Sequence, residues 1–121
     1  MYDCLAVVGA TGAVGSIARR LLEERKFPAR KFKFLASSRS AGSSLTFAGA
    51  NHTVELLQPE AFDDVDLVIA STPDDVARDF APKAVERGAV VVDESGAWRM
   101  DSDVPLVVPE VNPQAVEGHQ G

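Results

Sequence analysis

The 121 residues, 45% hydrophobic and 25% charged with nine Gly and seven Pro, suffice for one domain spanning 1–121 and exclude disorder, collagen and coiled coil, yet are few for a dinucleotide-dependent enzyme with its substrate half attached. The formal charge of −6 divides unevenly: residues 1–50 carry eight Lys or Arg against three Asp or Glu, and residues 51–121 four against fifteen, so the first half can attract phosphate while the second repels a long polyanion. A small phosphorylated ligand is therefore favoured over nucleic acid, and with no apolar run near the roughly 18 residues of a membrane span and no basic, apolar leader after Met1, the chain reads as cytoplasmic and free of the membrane.

Cys4-Leu5-Ala6-Val7-Val8 is a short unbroken apolar run ending at Gly9, the pattern of a strand buried on both faces of a parallel sheet. Val14, Ile17, Ala18, Leu21 and Leu22 then recur at helical spacing, with Arg19, Arg20, Glu23 and Glu24 among the remaining positions, which predicts an amphipathic helix ended by Pro28. Phe32 to Ala36 predicts a second strand, leading into the polar loop Ser37 to Gly42. Leu45-Thr46-Phe47 and Thr53 to Leu56 alternate in character around Ala48 to His52, the pattern of a small hairpin. A helical turn is expected near Glu60 to Phe62, then a buried strand at Asp66 to Ala70.

Asp74 and Asp75 suit a helix start, because carboxylates accept free N–H groups and oppose the dipole; Val76, Phe80 and Ala84 mark its buried face, and Pro82 is expected to kink or restart it. Gly88 closes that helix, Ala89 to Asp93 predicts another strand, and Leu106-Val107-Val108 a last short one before an aperiodic tail. This order implies an α/β fold: a doubly wound, mostly parallel, Rossmann-like sheet with helices on both faces and a small hairpin insertion. Its ligand site belongs at the strands' carboxyl ends, where Gly9, Ser71 and Glu94 fall.

Gly9-Ala10-Thr11-Gly12-Ala13-Val14-Gly15 lies between the first strand and the first helix, the context a dinucleotide fingerprint requires. Glycines let the chain turn tightly and approach a pyrophosphate, and the helix N-terminus offers free N–H groups. The spacing is GxxGxxG, which a tight turn without a ligand also satisfies. After the second strand there is no acid for a ribose 2′-hydroxyl. Ser37, Ser38, Arg39 and Ser40 instead place a guanidinium and hydroxyls roughly 20 residues beyond the glycine loop, which favours NADP(H) over NAD; the alternative is a solvated loop with an ordinary surface arginine. The single cysteine, Cys4, and the widely separated His52 and His119 offer no disulfide framework and no metal motif.

Taken together, GATGAVG, ASSRSAG, FAPKAVERGAVVVD and WRMDSDVPLVVPEVN resemble aspartate-semialdehyde dehydrogenase over essentially the whole chain, and only that family's N-terminal nucleotide-binding portion. The resemblance implies an oxidoreductase that reduces β-aspartyl phosphate with NADPH through a cysteine-bound acyl intermediate, on the route to lysine, threonine and methionine, in a protein that is a dimer or tetramer. It implies that Thr11 to Val14 hold the pyrophosphate, that Arg39 and Ser40 hold the 2′-phosphate, that Ser71, Thr72 and Pro73 line the nicotinamide side, and that Arg99 binds the substrate phosphate. A fixed guanidinium suits that last task; as a bare residue, Arg99 equally reads as a loop arginine paired with Asp101 or Asp103.

Three departures from the family stand out. Ser71-Thr72-Pro73-Asp74-Asp75 replaces a Ser-Ala-Gly-Gly type of segment, and Asp93-Glu94-Ser95-Gly96 replaces Asp-Asn-Ser-Ser, where an ionised Glu94 cannot donate as Asn does. The third is that the family's nucleophilic cysteine lies in an Asn-Cys segment downstream of the PEVNP stretch, beyond Gly121. Cys4 starts the first strand, far from the glycine loop, and reads as a buried apolar side chain. The histidine acid/base and a further substrate arginine belong to the family's second domain, and His119 reads as part of the tail. The chain is thus expected to bind NADP(H), to have its missing C-terminal domain as a partner, and to be inactive alone.

Two other readings remain: a free-standing NADPH sensor or interaction module, and the N-terminal domain of N-acetyl-glutamyl-phosphate reductase, against which Ser37 to Gly42 and the PEVN ending weigh. A short-chain reductase needs a Tyr-x-x-x-Lys pair, and Tyr2, the sole tyrosine, lies before the first strand.

Overall fold

The computed structural model describes residues 2–121. The elements in chain order are β1 (Tyr2–Val8), α1 (Ala13–Glu24), β2 (Ala29–Ala36), β3 (Ser44–Phe47), β4 (Ala50–Thr53), β5 (Glu55–Leu56), a 3-10 turn (Pro59–Phe62), β6 (Leu67–Ala70), α2 (Asp74–Glu86), β7 (Val90–Asp93) and a 3-10 turn at Pro113–Gly118. Five strands form one parallel sheet in the order β5-β2-β1-β6-β7, and β3 and β4 pair antiparallel beside it. The chain winds outward from β1 in one direction and then from β6 in the other, so the crevice between their carboxyl ends is the topological switch point.

β1 is apolar without alternation because both of its faces are covered. Cys4, Ala6 and Val8 join Val68 and Ala70 against Phe62 and the inner face of α2, formed by Ala77, Phe80, Ala81 and Ala84. Leu5 and Val7 face the other way, onto Phe34, Leu67, Leu22 of α1 and Phe47 of the hairpin. Phe47 stacks at a tilt on Phe32 and Phe34, which fixes the hairpin against β2.

Four expectations need correction. The first helix stops at Glu24, ahead of Pro28: Arg25 N–H reaches Leu21 O, Phe27 N–H reaches Leu22 O, and Lys26 makes the turn at a positive φ of 49°. The hairpin's second strand ends at Thr53, and Glu55–Leu56 leaves it to join the main sheet parallel to β2, because Val54 turns inward to the core and its N–H and C=O bond Ser43 and Gly42. Pro82 does not restart α2, which runs unbroken from Asp74 to Glu86 with Pro82 on its exposed side. Leu106 to Val108 forms no strand: the Asn112 side chain takes its backbone, accepting the Val108 N–H and donating to Leu106 O, and Leu106 and Val108 are exposed.

The amphipathic stripe of α1 is only partly used. Leu22 is buried, whereas Val14, Ile17 and Leu21 are 46%, 48% and 39% exposed.

At the amino end of the sheet the two halves of the chain are tied by charge. Lys33 Nζ donates to Asp64 Oδ1 at 2.7 Å and to the Ala61 carbonyl at 2.8 Å, and Lys31 Nζ donates to Asp64 Oδ2 at 3.1 Å. Arg87 Nε reaches Asp63 at 2.8 Å, and Asp66 accepts the N–H groups of Asp3 and Cys4 at 3.0 and 2.9 Å. Hydrogen bonding from Lys33 holds the Asp64 carboxyl down from 3.8 to about 2, with Lys31 adding to it and burial opposing.

A carboxylate with a depressed folded-state pKa stabilises the fold above its unfolded pKa, and that stability is lost as pH falls. Asp64→Asn should therefore melt lower than the parent at neutral pH, with the gap closing between pH 3.8 and about 2. Because the Asp64 side chain is 49% exposed, solvent screens the pair and the gap should be about 1 kcal/mol or less. Thermal melts of both proteins across that range measure it, and a gap that stays constant to pH 2 would refute the assignment.

Candidate functional site at the carboxyl ends of the strands

The loop after β1 is built on atoms that leave no room for side chains. Gly9, at φ 78°, donates its N–H to Leu35 O at 3.0 Å, and a Cβ at Gly9 would lie 2.0 Å from the Ser71 carbonyl oxygen. A Cβ at Gly15 would lie 2.0 Å from Gly9 O, so the first turn of α1 rests directly on the loop. Gly12 differs: a Cβ there would meet only Gly9 O, at 3.5 Å, and its φ of −76° suits any residue. The internal packing does not demand a glycine at 12, and its bare surface faces outward, where a ligand's phosphates would approach.

Gly12 caps α1 with no side-chain hydrogen bond, and no acid lies in the first turn. The N–H groups and positive dipole end of this helix are thus left for an anion. Behind the loop, Arg19 Nε donates to Ala10 O at 3.0 Å and Arg19 Nη2 to Ser16 Oγ at 3.1 Å, while Ser16 Oγ donates to Gly12 O at 2.8 Å. This buttress escaped the sequence reading, which took Arg19 as one more polar helix position; its only signal was a Ser and an Arg three apart at the start of the helix.

The loop after β2 meets the glycine loop through Thr11, whose Oγ1 donates to Ser40 Oγ at 3.2 Å. Ser37 O accepts the N–H groups of Ser40 and Ala41, which curls the loop and leaves Ser37, Ser38 and Arg39 exposed. Among the described residues Arg39 has no ion pair and no hydrogen bond. Most other cations near it in sequence are engaged: Arg30 with Asp3, Lys31 and Lys33 with Asp64.

At the end of β6, Ser71 N–H donates to Val8 O at 3.0 Å, and Thr72 Cγ2 would lie 3.4 Å from a Cβ at Gly9. Ser71, Thr72 and the glycine loop are therefore brought together. Thr72 Oγ1 is buried with no partner, a polar atom at the mouth of the crevice. α2 is a poor anion site by comparison, since Asp74 and Asp75 occupy its first turn.

Beyond β7, Ser95 donates its N–H and Oγ to the Asp93 carboxylate at 2.9 and 2.7 Å, and Gly96 N–H donates to Asp74 Oδ1 at 2.8 Å. Arg99 is exposed, with Nη2 donating weakly to Glu94 O at 3.4 Å. It pairs with neither Asp101 nor Asp103; Asp101 Oδ1 accepts the Asp103 N–H instead. Cys4 lies at the opposite end of β1, 2% exposed, and burial followed by the nearby Asp64 charge pushes its thiol up, so it is no nucleophile. Among the described residues no group of His, Cys, Asp and Glu is placed to hold a metal ion.

A family model described as the semialdehyde dehydrogenase NAD-binding domain matches residues 5–119. The chain belongs to this family. An aspartate-semialdehyde dehydrogenase of Prochlorococcus marinus is 50% identical over 97% of the chain and 34% of its own length. The crystal structure of aspartate semialdehyde dehydrogenase II from Vibrio cholerae, complexed with ASA, superposes with a TM-score of 0.92 at 38% identity, covering 98% of this chain and 39% of that one. The Candida albicans enzyme with NADP gives 0.81 at 34% identity, over 97% and 36%. The chain spans about a third of the length of the curated relatives it matches. The resemblance and the doubly wound fold expected from the sequence are both borne out.

The three glycines of this NAD-binding domain should separate in their response to alanine. Gly9→Ala and Gly15→Ala force a methyl onto a carbonyl oxygen and should each cost about 2–3 kcal/mol of stability. Gly12→Ala should melt within about 0.5 kcal/mol of the parent yet bind nucleotide at least tenfold less tightly, about 1.4 kcal/mol. Melting curves and a nucleotide titration on the three variants check this; a Gly12→Ala protein that binds like the parent would place the phosphates elsewhere.

Proposed function

We propose that residues 1–121 form the NADP(H)-binding portion of an aspartate-semialdehyde dehydrogenase, which converts β-aspartyl phosphate and NADPH to aspartate semialdehyde, phosphate and NADP+. The names of the relatives support this reading, and the observation that carries it is Arg39. An unengaged guanidinium stands at the end of β2, on the loop that Thr11 and Ser40 tie to the glycine loop, at the position where an NAD site places an acid.

The residues present fit the dinucleotide. The backbone of Thr11, Gly12, Ala13 and Val14, at an uncapped helix start with Gly9 and Gly15 holding its curvature, would take the pyrophosphate. Ser37, Ser38, Arg39 and Ser40 would take the 2′-phosphate, and a fork of N–H donors is the group best shaped for it. Ser71, Thr72 and Pro73 would border the nicotinamide, where the partnerless Thr72 hydroxyl awaits a polar atom. When bound, NADPH supplies the hydride. Arg99, free of its neighbouring aspartates, would hold the phosphate of the substrate against the negative charge that develops as it departs.

The covalent chemistry would belong to a second, catalytic portion that is this domain's partner, in a whole enzyme that is a homo-oligomer. Cys4, buried at the remote end of β1, offers no acyl acceptor, so these 121 residues would bind without turning over. No helix among the described residues is long and apolar enough to cross a membrane. A cytoplasmic small-molecule enzyme with no nucleic-acid partner agrees with the charge distribution and the fold.

Calorimetric titrations with NADPH and NADH at one fixed salt concentration test the reading. NADPH should bind at least tenfold tighter, about 1.4 kcal/mol, and Arg39→Ala should erase the preference while leaving NADH affinity unchanged. Equal binding of the two nucleotides by the parent would remove Arg39 from the site. Oxidation of NADPH by this chain with β-aspartyl phosphate would disprove the need for a second portion.

A further inference from the structure

The loop that follows β7 is held by side-chain acceptors at successive backbone positions. Ser95 donates its N–H to Asp93 Oδ1 at 2.9 Å, and Ala97 donates its N–H to Ser95 Oγ at 3.2 Å, both within the loop. Between them, Gly96 donates its N–H to Asp74 Oδ1 at 2.8 Å, across 22 positions of sequence. Consecutive N–H groups are thus all taken, which is what irregular backbone needs in order to hold one shape. Only the middle bond leaves the loop. The other two curl the loop on itself and do not fix where it stands.

Gly96 also carries the connection to Arg99. Its carbonyl accepts the Arg99 N–H at 3.4 Å, while Arg99 Nη2 rests on the Glu94 carbonyl at 3.4 Å. Ala97 and Trp98, which lie between Gly96 and Arg99, pack against the α2 layer. Apolar packing is non-directional and a hydrogen bond is directional, so packing keeps the loop on α2 while the Asp74 bond sets its orientation there.

Asp74 is the first residue of α2, where a carboxylate ordinarily serves the helix itself by opposing its dipole. Asp75 provides the same charge one residue further on. Both are exposed, and among the described residues Asp75 makes no hydrogen bond and no ion pair, whereas Asp74 gives a carboxylate oxygen to Gly96. Two acids at one helix end thus differ in a single respect: one is tied to the loop of Arg99 and the other is not.

We propose that Asp74 is a positioning residue for the phosphate of the reaction, holding Arg99 in place through the Gly96 N–H. The inference rests on the reading of Arg99 as the residue that binds the substrate phosphate in an aspartate-semialdehyde dehydrogenase. The effect of Asp74 is exerted entirely through the backbone of its neighbour, so it should be felt by the phosphate and not by the nucleotide.

The reaction run in reverse separates the ligands, because inorganic phosphate, aspartate semialdehyde and NADP+ are then independent substrates. The enzyme for this test is a chimaera in which the chain replaces the matched third of the Prochlorococcus marinus relative. Asp74→Ala should raise the KM for phosphate about tenfold, with the KM values for aspartate semialdehyde and NADP+ unchanged. Asp74→Asn, whose amide oxygen can accept the same N–H, should restore most of the loss, and Asp75→Ala should behave as the parent. In this chain alone, Asp74→Ala should speed hydrogen exchange at the Gly96 amide and leave NADPH affinity unchanged. A joint rise in all the KM values, equal effects of Asp74→Ala and Asp75→Ala, a loss that Asp74→Asn does not restore, or unchanged exchange at Gly96 would each overturn the inference. Arg99→Ala separates its failure from that of the functional reading. If Arg99→Ala raises the KM for phosphate and Asp74→Ala does not, the inference alone fails; if Arg99→Ala leaves that KM unchanged, the reading of Arg99 fails and the role of Asp74 with it.

Discussion

The whole site hangs on a place where three pieces of backbone touch with nothing between them. Gly9 meets the Ser71 carbonyl, and Gly15 meets the Gly9 carbonyl, each at distances that exclude a Cβ. β1, β6 and the first turn of α1 are locked together there, at the one point in a doubly wound sheet where the chain reverses direction and opens a crevice. Because the contact is backbone on backbone, the positions of the α1 N–H groups are set by covalent geometry and not by side-chain choice. Gly12, the glycine this packing does not require, is the one left facing outward.

Around that junction the charges are sorted by task. At the amino ends of the strands, Lys31 and Lys33 from the first half of the chain are joined to Asp64 from the second, and Arg87 to Asp63 within the second. They close the base of the sheet. At the carboxyl ends cations are instead left unanswered: Arg39 without partners, Arg99 with only a weak bond to a carbonyl. Arg19, the third, is turned inward as a brace for the glycine loop. The same residue type thus serves as strut, as brace and as exposed donor, and only the tertiary structure distinguishes the roles.

What could be read beforehand was whatever a short window encodes. The apolar run at β1, the glycine loop, the carboxylates opening α2 and Gly88 at its end all carry their structural meaning locally. The misreadings share one cause, which is competition decided at a distance. Thr53 to Leu56 alternates like one strand, but Val54 is claimed by the core and Glu55–Leu56 by the free edge of β2. Leu106 to Val108 has strand composition, but the Asn112 side chain engages its backbone. Pro28 is a helix breaker, yet the chain turns earlier, at Lys26, because the following segment must reach β1 with its Pro28 carbonyl accepting the Tyr2 N–H. The periodicity of α1 identified the helix correctly and still could not tell which part of its apolar stripe faces the sheet.

The segment Ser71 to Asp75 has a structural consequence that reaches across the site. Asp74 opens α2 and at the same time accepts the Gly96 N–H, and a Cβ at Gly96 would sit 3.0 Å from the other carboxylate oxygen. A side chain at residue 96 would press the carboxylate back by a few tenths of an ångström. Through that bond the loop bearing Trp98 and Arg99 is fastened to the helix that begins just after Ser71, Thr72 and Pro73, while Trp98 packs against the core on the α2 side. The Asp93 and Ser95 hydrogen bonds stiffen the same loop from its other end. The borders of the crevice are consequently one connected frame: glycine loop to Ser71 by backbone contact, Ser71 to α2 by chain continuity, and α2 to the Arg99 loop by a carboxylate. In such a frame the separation between the glycine loop and the exposed Arg99 is governed by α2.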